Sequence, residues 1–111
     1  LRDLGNLQDA EVYTRKAIEL NPDFAQAHFN LGNTLKDLGK LQEAEISIHK
    51  AIQLKPDFAK AYYTLSLIYC KKNDYNKAYQ EINLAILNDP DNHVFQGELT
   101  RIKFMKNSQN R

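Results

Sequence analysis

Tryptophan is absent from this sequence, and cysteine and methionine occur once each. The one cysteine, Cys70, has no partner for an internal disulfide and none for the paired thiolates of a structural zinc site. A reducing compartment, the cytoplasm, is therefore the expected location. Long apolar runs are missing too. Nothing approaches the roughly 20 residues of a membrane-spanning helix, and no signal-peptide pattern opens the chain. Charge of one sign is not in excess either, since 15 Lys and Arg against 14 Asp and Glu leave a net +1. That balance supplies no concentrated basic surface of the kind a phosphate backbone requires, so neither nucleic acid nor membrane is expected as a partner. The charge is nonetheless uneven: residues 1–58 hold seven basic and nine acidic side chains, and residues 59–111 hold eight and five.

Catalytic signatures are also lacking. There is no nucleophile elbow, phosphate loop or paired metal-protease histidine. His28, His49 and His93 are scattered, without the helical pairing and nearby carboxylate that metal binding uses. No metal and no cofactor are expected, and the chain is not read as an enzyme in itself.

Glycine and proline are scarce, at four and three, and the scarcity makes their placement legible. Pro22, Pro56 and Pro90 stand 34 residues apart, and each is followed by Asp, at Asp23, Asp57 and Asp91. Proline discourages the preceding helix from continuing, and each Asp is expected to cap the helix that comes next. Midway between come Gly5, Gly39 and Asn73, the residue types that best tolerate the left-handed conformation at a helix end. "DLGNLQDAE" at 3–11 returns as "DLGKLQEAE" at 37–45. A period this regular implies stacked copies of one structural unit.

Between these marks the apolar spacing is helical. Ala27, Leu31, Thr34, Leu35 and Leu38 share one face, as do Leu41, Ala44, Ile48, Ala51 and Ile52. Small residues recur where two helices must approach: Gly32 and Ser66 in first helices, and Ala10, Ala44 and Ala78 in second helices. Tyr62, Tyr69, Tyr75 and Tyr79 fall at inward positions. Each unit reads as a helical hairpin.

This pattern resembles the tetratricopeptide repeat family. Residues 25–58 carry it through His28, Leu31, Gly32, Leu35, Ala44, Ile48, Ala51 and Pro56, with His28 where the family usually has an aromatic. Residues 59–92 carry it through Tyr62, Leu65, Ser66, Tyr69, Ala78, Ile82, Ala85 and Pro90. Residues 1–24 hold the end of a helix A and a full helix B, so the chain is expected to be cut from something longer. Residues 93–111 are expected to form a capping helix and tail, with Val94, Phe95, Leu99, Ile102 and Met105 turned inward. The resemblance implies an all-α fold: a right-handed solenoid of stacked antiparallel hairpins.

It also implies a function, a scaffold that binds a peptide or partner segment in the concave groove of the A helices. Laid onto this chain, the groove positions are Gln26, Phe29, Asn30, Asn33 and Lys36, then Lys60, Tyr63, Thr64, Leu67 and Cys70. In some relatives an Asn just before Leu-Gly holds peptide main chain; Asn30 stands there, in "NLG", and Thr64 is its counterpart one repeat later. The carboxylate clamp that other relatives use for chaperone tails is completed in neither register. Cys70, near a helix C-terminus, is read as inert packing. Arg101, Lys103, Lys106 and Arg111 are read as the solvated side of the cap. Two alternatives stand beside the scaffold. One is a non-catalytic, substrate-selecting region of a larger transferase. The other is a self-associating array, in which Leu7, Ala10, Thr14 and Ala17 form an open face for a homodimer.

Overall fold

Two recurring hydrogen-bonding motifs set the chain's turns. At Gly39 (φ 81°) and Asn73 (φ 61°) the backbone enters the left-handed region. Lys40 N–H then donates to Leu35 O at 2.8 Å and Gly39 N–H to Lys36 O at 3.0 Å. Thirty-four residues on, Asp74 N–H donates to Tyr69 O at 2.9 Å and Asn73 N–H to Cys70 O at 3.0 Å. Both are Schellman endings, in which the left-handed residue lets two otherwise orphaned carbonyls be satisfied. The Pro-Asp pairs make the second motif. Phe24 N–H donates to Asn21 O at 3.3 Å, and Asn92 N–H to Asp89 O at 3.3 Å, so Pro-Asp occupies the two central positions of a β-turn.

The expected Asp caps are therefore corrected. Asp23 and Asp57 lie one residue too early: the N-cap residues are Phe24 and Phe58, and neither makes a side-chain cap bond. After Pro90-Asp91 the capping group is Asn92, whose Oδ1 accepts from Val94 N–H (3.0 Å) and Phe95 N–H (3.2 Å). Asp74 caps the helix after the second Schellman turn, accepting from Lys77 N–H at 3.2 Å. A cap must flank the first helical residue directly, and the two-residue turn displaces Asp from that place.

The computed structural model describes residues 4–109. Among these are six helices and no strand: α1 (Leu4–Leu20), α2 (Ala25–Asp37), α3 (Leu41–Leu54), α4 (Ala59–Lys71), α5 (Tyr75–Asn88) and α6 (His93–Gln109). No helix among the described residues is long and apolar enough to cross a membrane. The chain divides into two units, Leu1–Pro56 and Asp57–Arg111.

In the first unit, α2 packs on α3 and on α1. Its core is Leu7, Ala27, Leu31, Leu35, Ala44, Ile48 and Ala51; the members from α2 and α3 lie on the helical stripes expected from spacing. Gly32 of α2 lies directly against α3. A Cβ there would run into the end of the Ile48 side chain and come within 3.4 Å of Ala44 O. His28 is also buried, and its Nε2 lies 2.8 Å from Pro22 O. That bond explains how a polar ring occupies an aromatic's place without leaving an unsatisfied group. Gly5 does not end a helix: α1 already runs from Leu4, and Gly39 is the one glycine in the left-handed region among the described residues. Only a single helix of the first repeat stands among those residues.

An ionic chain ties α1 to the turn after α2 and to the start of α3. Glu11 accepts from Arg15 Nε at 3.0 Å and from Lys40 Nζ at 3.1 Å, while Arg15 reaches Glu43 at 3.3 Å. Hydrogen bonds from Arg15, then from Lys40, hold the Glu11 carboxyl below its ordinary range. A depressed carboxylate contributes stability above its unfolded pKa and loses it as pH falls through the folded value. Glu11→Gln is thus expected to cost less than about 1 kcal/mol at neutral pH, because solvent screens the pairs. The difference should shrink to nothing in acid, as thermal melts of both proteins across pH 7 to 3 would reveal.

In the second unit, α5 packs on α4 and on α6. The core holds Ala61, Leu65, Ile68, Tyr69, Tyr75, Ala78, Ile82, Ala85, Phe95 and Ile102. Ser66 takes the place of Gly32 and donates from Oγ to Tyr63 O at 2.6 Å. On α6, Phe95 and Ile102 are buried, Leu99 and Met105 are half-buried, and Val94 is 61% exposed. Val94 is thus a correction to the inward set. It is the second residue of its helix, and the stripe that docks runs through 95, 99 and 102 instead.

Candidate functional site

On α2 the five groove positions of the first unit lie along one side. Gln26 and Asn30 are exposed, while Phe29, Asn33 and Lys36 are half-buried. Gln26 and Asn30 are one helical turn apart, and Gln26 Nε2 donates to Asn30 Oδ1 at 3.0 Å. That bond occupies Asn30's acceptor and leaves its Nδ2 with no protein partner among the described residues. Asn33 bonds back to its own helix, Nδ2 donating to Phe29 O at 3.3 Å. Lys36 Nζ lies 3.7 Å from Asp37 Oδ1.

These side chains meet α1 around a pocket of about 610 Å³, lined by Ala10, Thr14, Phe29, Asn30, Asn33, Thr34, Lys36 and Asp37. Two sets that spacing alone kept apart, groove positions and the Ala10–Thr14 face, thus share one cavity. Thr14 Oγ1 donates to Ala10 O at 2.6 Å, so its hydroxyl is satisfied within its own helix. The remaining members of the expected self-association face behave differently. Leu7 is 6% exposed, so it is a core residue and not an open one, while Ala17 is exposed. Leu7 is the single fully packed side chain of α1, and that is the physical reason for the correction.

The second unit uses its groove positions another way. Thr64 is 2% exposed; it belongs to the stripe Ala61, Thr64, Leu65, Ile68, all buried, and so is withdrawn from the outward set. Tyr63 is half-buried and stacks on Phe95 of α6, centroids 5.1 Å apart and planes 28° apart. Burial, then the charge of Glu98, pushes its phenol up. Cys70 is buried, its Sγ 3.8 Å from Glu98 of α6, and burial pushes the thiol up as well. A raised thiol pKa means little thiolate at neutral pH, consistent with packing. Lys60 is exposed and Leu67 half-buried. In this unit α6 takes up side chains that the resemblance assigned to a ligand. Arg101 pairs with Glu98, whose half-buried side chain also reaches Cys70, so this pair is not on the solvated side of the cap; Lys106 stands 4.3 Å over the Tyr79 ring, Lys103 is exposed, and Arg111 lies outside the described residues.

What spacing did not single out is a second cavity in the first unit, on the other side of α2. It measures about 520 Å³ and is lined by Arg15, Ile18, Glu19, His28, Leu31, Ile46, Ser47 and Lys50. Its one sequence signal is the exchange of His28 for the aromatic found 34 residues later at Tyr62.

One tetratricopeptide repeat pattern matches residues 13–46, and another matches residues 1–24 and 59–92. No curated protein sequence matches the chain. Among solved structures, the Arabidopsis OM64 TPR domain superposes with a TM-score of 0.86 at 22% identity, over 89% of this chain and 82% of that one. The first TPR of Spaghetti (RPAP3), solved with the HSP90 peptide SRMEEVD, gives 0.85 at 20% identity, over 89% and 79%. YrrB, described as a TPR protein with an unusual peptide-binding site, gives 0.80 at 28% identity, over 88% of this chain and 50% of that one. Matched repeats over more than half its length, the paired Schellman turns and these superpositions together lead to one assignment. The chain belongs to the tetratricopeptide repeat family.

Proposed function

We propose that the chain is a protein-interaction module, without chemistry of its own, that holds an extended peptide segment of a partner against the pocket between α1 and α2. The observation that carries this reading is Asn30, exposed on that pocket with its Nδ2 unengaged and its Oδ1 held in place by Gln26. An amide so oriented is suited to a main-chain carbonyl, which repeats along any extended peptide regardless of sequence. Lys36 and Asp37 add one charge of each sign to the same rim, and Phe29 and Ala10 supply apolar contact. The peptide bound to the first TPR of Spaghetti and the peptide-binding site described for YrrB support a peptide as the ligand class.

The reading is tested with a library of soluble, unstructured peptides screened against the isotopically labelled chain. Amide shifts from a binding peptide should cluster on residues 10–14 and 29–37. Asn30→Ala, at an exposed position, should leave the melting temperature within a degree or two and weaken that peptide about tenfold, the upper worth of one neutral hydrogen bond. Binding that ignores Asn30→Ala and shifts other residues would remove the pocket from the proposal.

A further inference from the structure

The turn between α4 and α5 reverses the charge of its counterpart in the first unit. Residues 36–45 hold Lys36 and Lys40 against Asp37, Glu43 and Glu45, whereas residues 70–79 hold Lys71, Lys72 and Lys77 against Asp74 alone. Lys71 and Lys77 stand where Asp37 and Glu43 stood, and Tyr79 stands for Glu45. In the first unit these acids meet cations: Glu43 accepts from Arg15, and Asp37 lies beside Lys36. In the second unit Lys71, Lys77, Lys103 and Lys106 have no ion-pair partner among the described residues. The other acids of that unit are placed elsewhere. Asp57, Asp89 and Asp91 belong to the turns at the opposite end of its helices, and Glu98 pairs with Arg101. Glu81 stands beside Tyr62, near the start of α4; burial, then the charge of Glu81, pushes that phenol up. Asp74 remains, its Oδ1 accepting from Lys77 N–H.

The last turns of α6 bring two of these lysines to the same end. Gln109 Nε2 donates to Asn73 O at 3.0 Å, fixing the end of α6 against the turn. Lys106 Nζ stands 4.3 Å over the Tyr79 ring. Beside it opens a hollow of about 260 Å³ lined by Tyr79, Lys103, Lys106 and Asn107. Its polar groups are two ammoniums, a phenol and an amide; each carries a donor, and no carboxylate is among them. A hollow so lined, set in a field of one sign, selects an anion.

We infer that this end of the second unit is a docking site for an acidic segment of a partner protein. One glutamate side chain enters the hollow, where its carboxylate accepts from Lys103 and Lys106, and neighbouring carboxylates of the segment meet Lys71 and Lys77 around the turn. Nucleic-acid bases find no platform here: Tyr69 is buried, and Lys77 and Lys106 cover the Tyr69 and Tyr79 rings. A bilayer surface sends no side chain into a hollow. The site belongs to the other unit from the pocket between α1 and α2 and stands or falls without it.

The probes are acetyl-hexaglutamate-amide and its hexaglutamine counterpart, titrated into the labelled full chain by NMR. Hexaglutamate should shift Tyr79, Lys103, Lys106, Asn107 and the turn around Asn73, and hexaglutamine should shift none of them. Its affinity should fall about tenfold between about 0.05 and 0.5 M salt. Lys71→Asp/Lys77→Glu installs the acids of positions 37 and 43, with which the first unit folds, at two exposed positions. That variant should melt within a degree or two of the parent and bind hexaglutamate about tenfold more weakly. Lys103→Gln, also at an exposed position, should weaken it about threefold and remove the shift of Tyr79. Equal binding of the two peptides, shifts confined to other residues, or full affinity in folded Lys71→Asp/Lys77→Glu would each overturn the assignment. So would tighter binding of phosphatidylserine vesicles or of a single-stranded oligothymidylate than of hexaglutamate, which would give the lysines to a membrane or a nucleic acid.

Discussion

Phe95→Ala is expected to destabilise the second unit by about 3–5 kcal/mol, the range for emptying a fully packed aromatic site. Phe95 is 2% exposed and stacks on Tyr63 with centroids 5.1 Å apart; such a pair adds about 0.5–1.5 kcal/mol to simple burial. The loss should not be spread evenly. Phe95 and Ile102 are the two buried residues of α6, and the helix is further tied by Glu98 to Cys70 Sγ at 3.8 Å, Lys106 over the Tyr79 ring at 4.3 Å, and Gln109 Nε2 donating to Asn73 O at 3.0 Å. Gly97 lowers the helix's own propensity by about 1 kcal/mol relative to Ala. Hydrogen exchange should therefore find α6 amides open in the variant while α4 and α5 keep most of their protection. Val94→Ala, one residue away but 61% exposed, should change the melt by less than about 0.5 kcal/mol. Uniform loss of protection over α4, α5 and α6 would mean that α6 is no separate layer.

The second large effect is a coupling. Ile48 is fully buried, and its Cγ1 lies 2.6 Å from where a Cβ on Gly32 would stand. Ile48→Ala alone should cost about 2–5 kcal/mol. Gly32→Ala alone sets a helix-propensity gain of about 1 kcal/mol against an overpacking cost of about 1–3 kcal/mol, so it should be neutral to destabilising. In the Ile48→Ala background the obstruction is gone, and the same Gly32→Ala change should stabilise by about 1 kcal/mol, partly filling the space. Urea melts of the four proteins would give the cycle, with an expected coupling of about 1–3 kcal/mol. Additivity would show that Ile48 swings aside at no cost. That alternative has a physical precedent in the chain: Ser66, fully buried at the matching place of the next repeat, carries a Cβ.

The sequence by itself determined the features whose causes are local. The 34-residue period, the helical type of each segment, and the left-handed endings at Gly39 and Asn73 follow from backbone preferences acting over a few residues, and they stand as expected. So do the core stripes of α2 and α3, because apolar spacing records which residues share a face. Local reading erred at Asp23 and Asp57 by one residue, where the β-turn takes the position a cap would need. It erred at Gly5, where the same residue type that ends α2 lies within α1. Periodicity names a face but not what covers it. Only the tertiary structure decided that α6 would take Tyr63 and Cys70, that Thr64 and Leu7 would be packed away, and that Asn30 would stay exposed beside Ala10 and Thr14. The pocket around His28 and Ser47 was likewise beyond reach, since a cavity is a relation among α1, α2 and α3, and no one helix carries it. Helix ends are set by neighbours in sequence, while exposure is set by neighbours in space. The candidate site lies where that second kind of neighbour is missing.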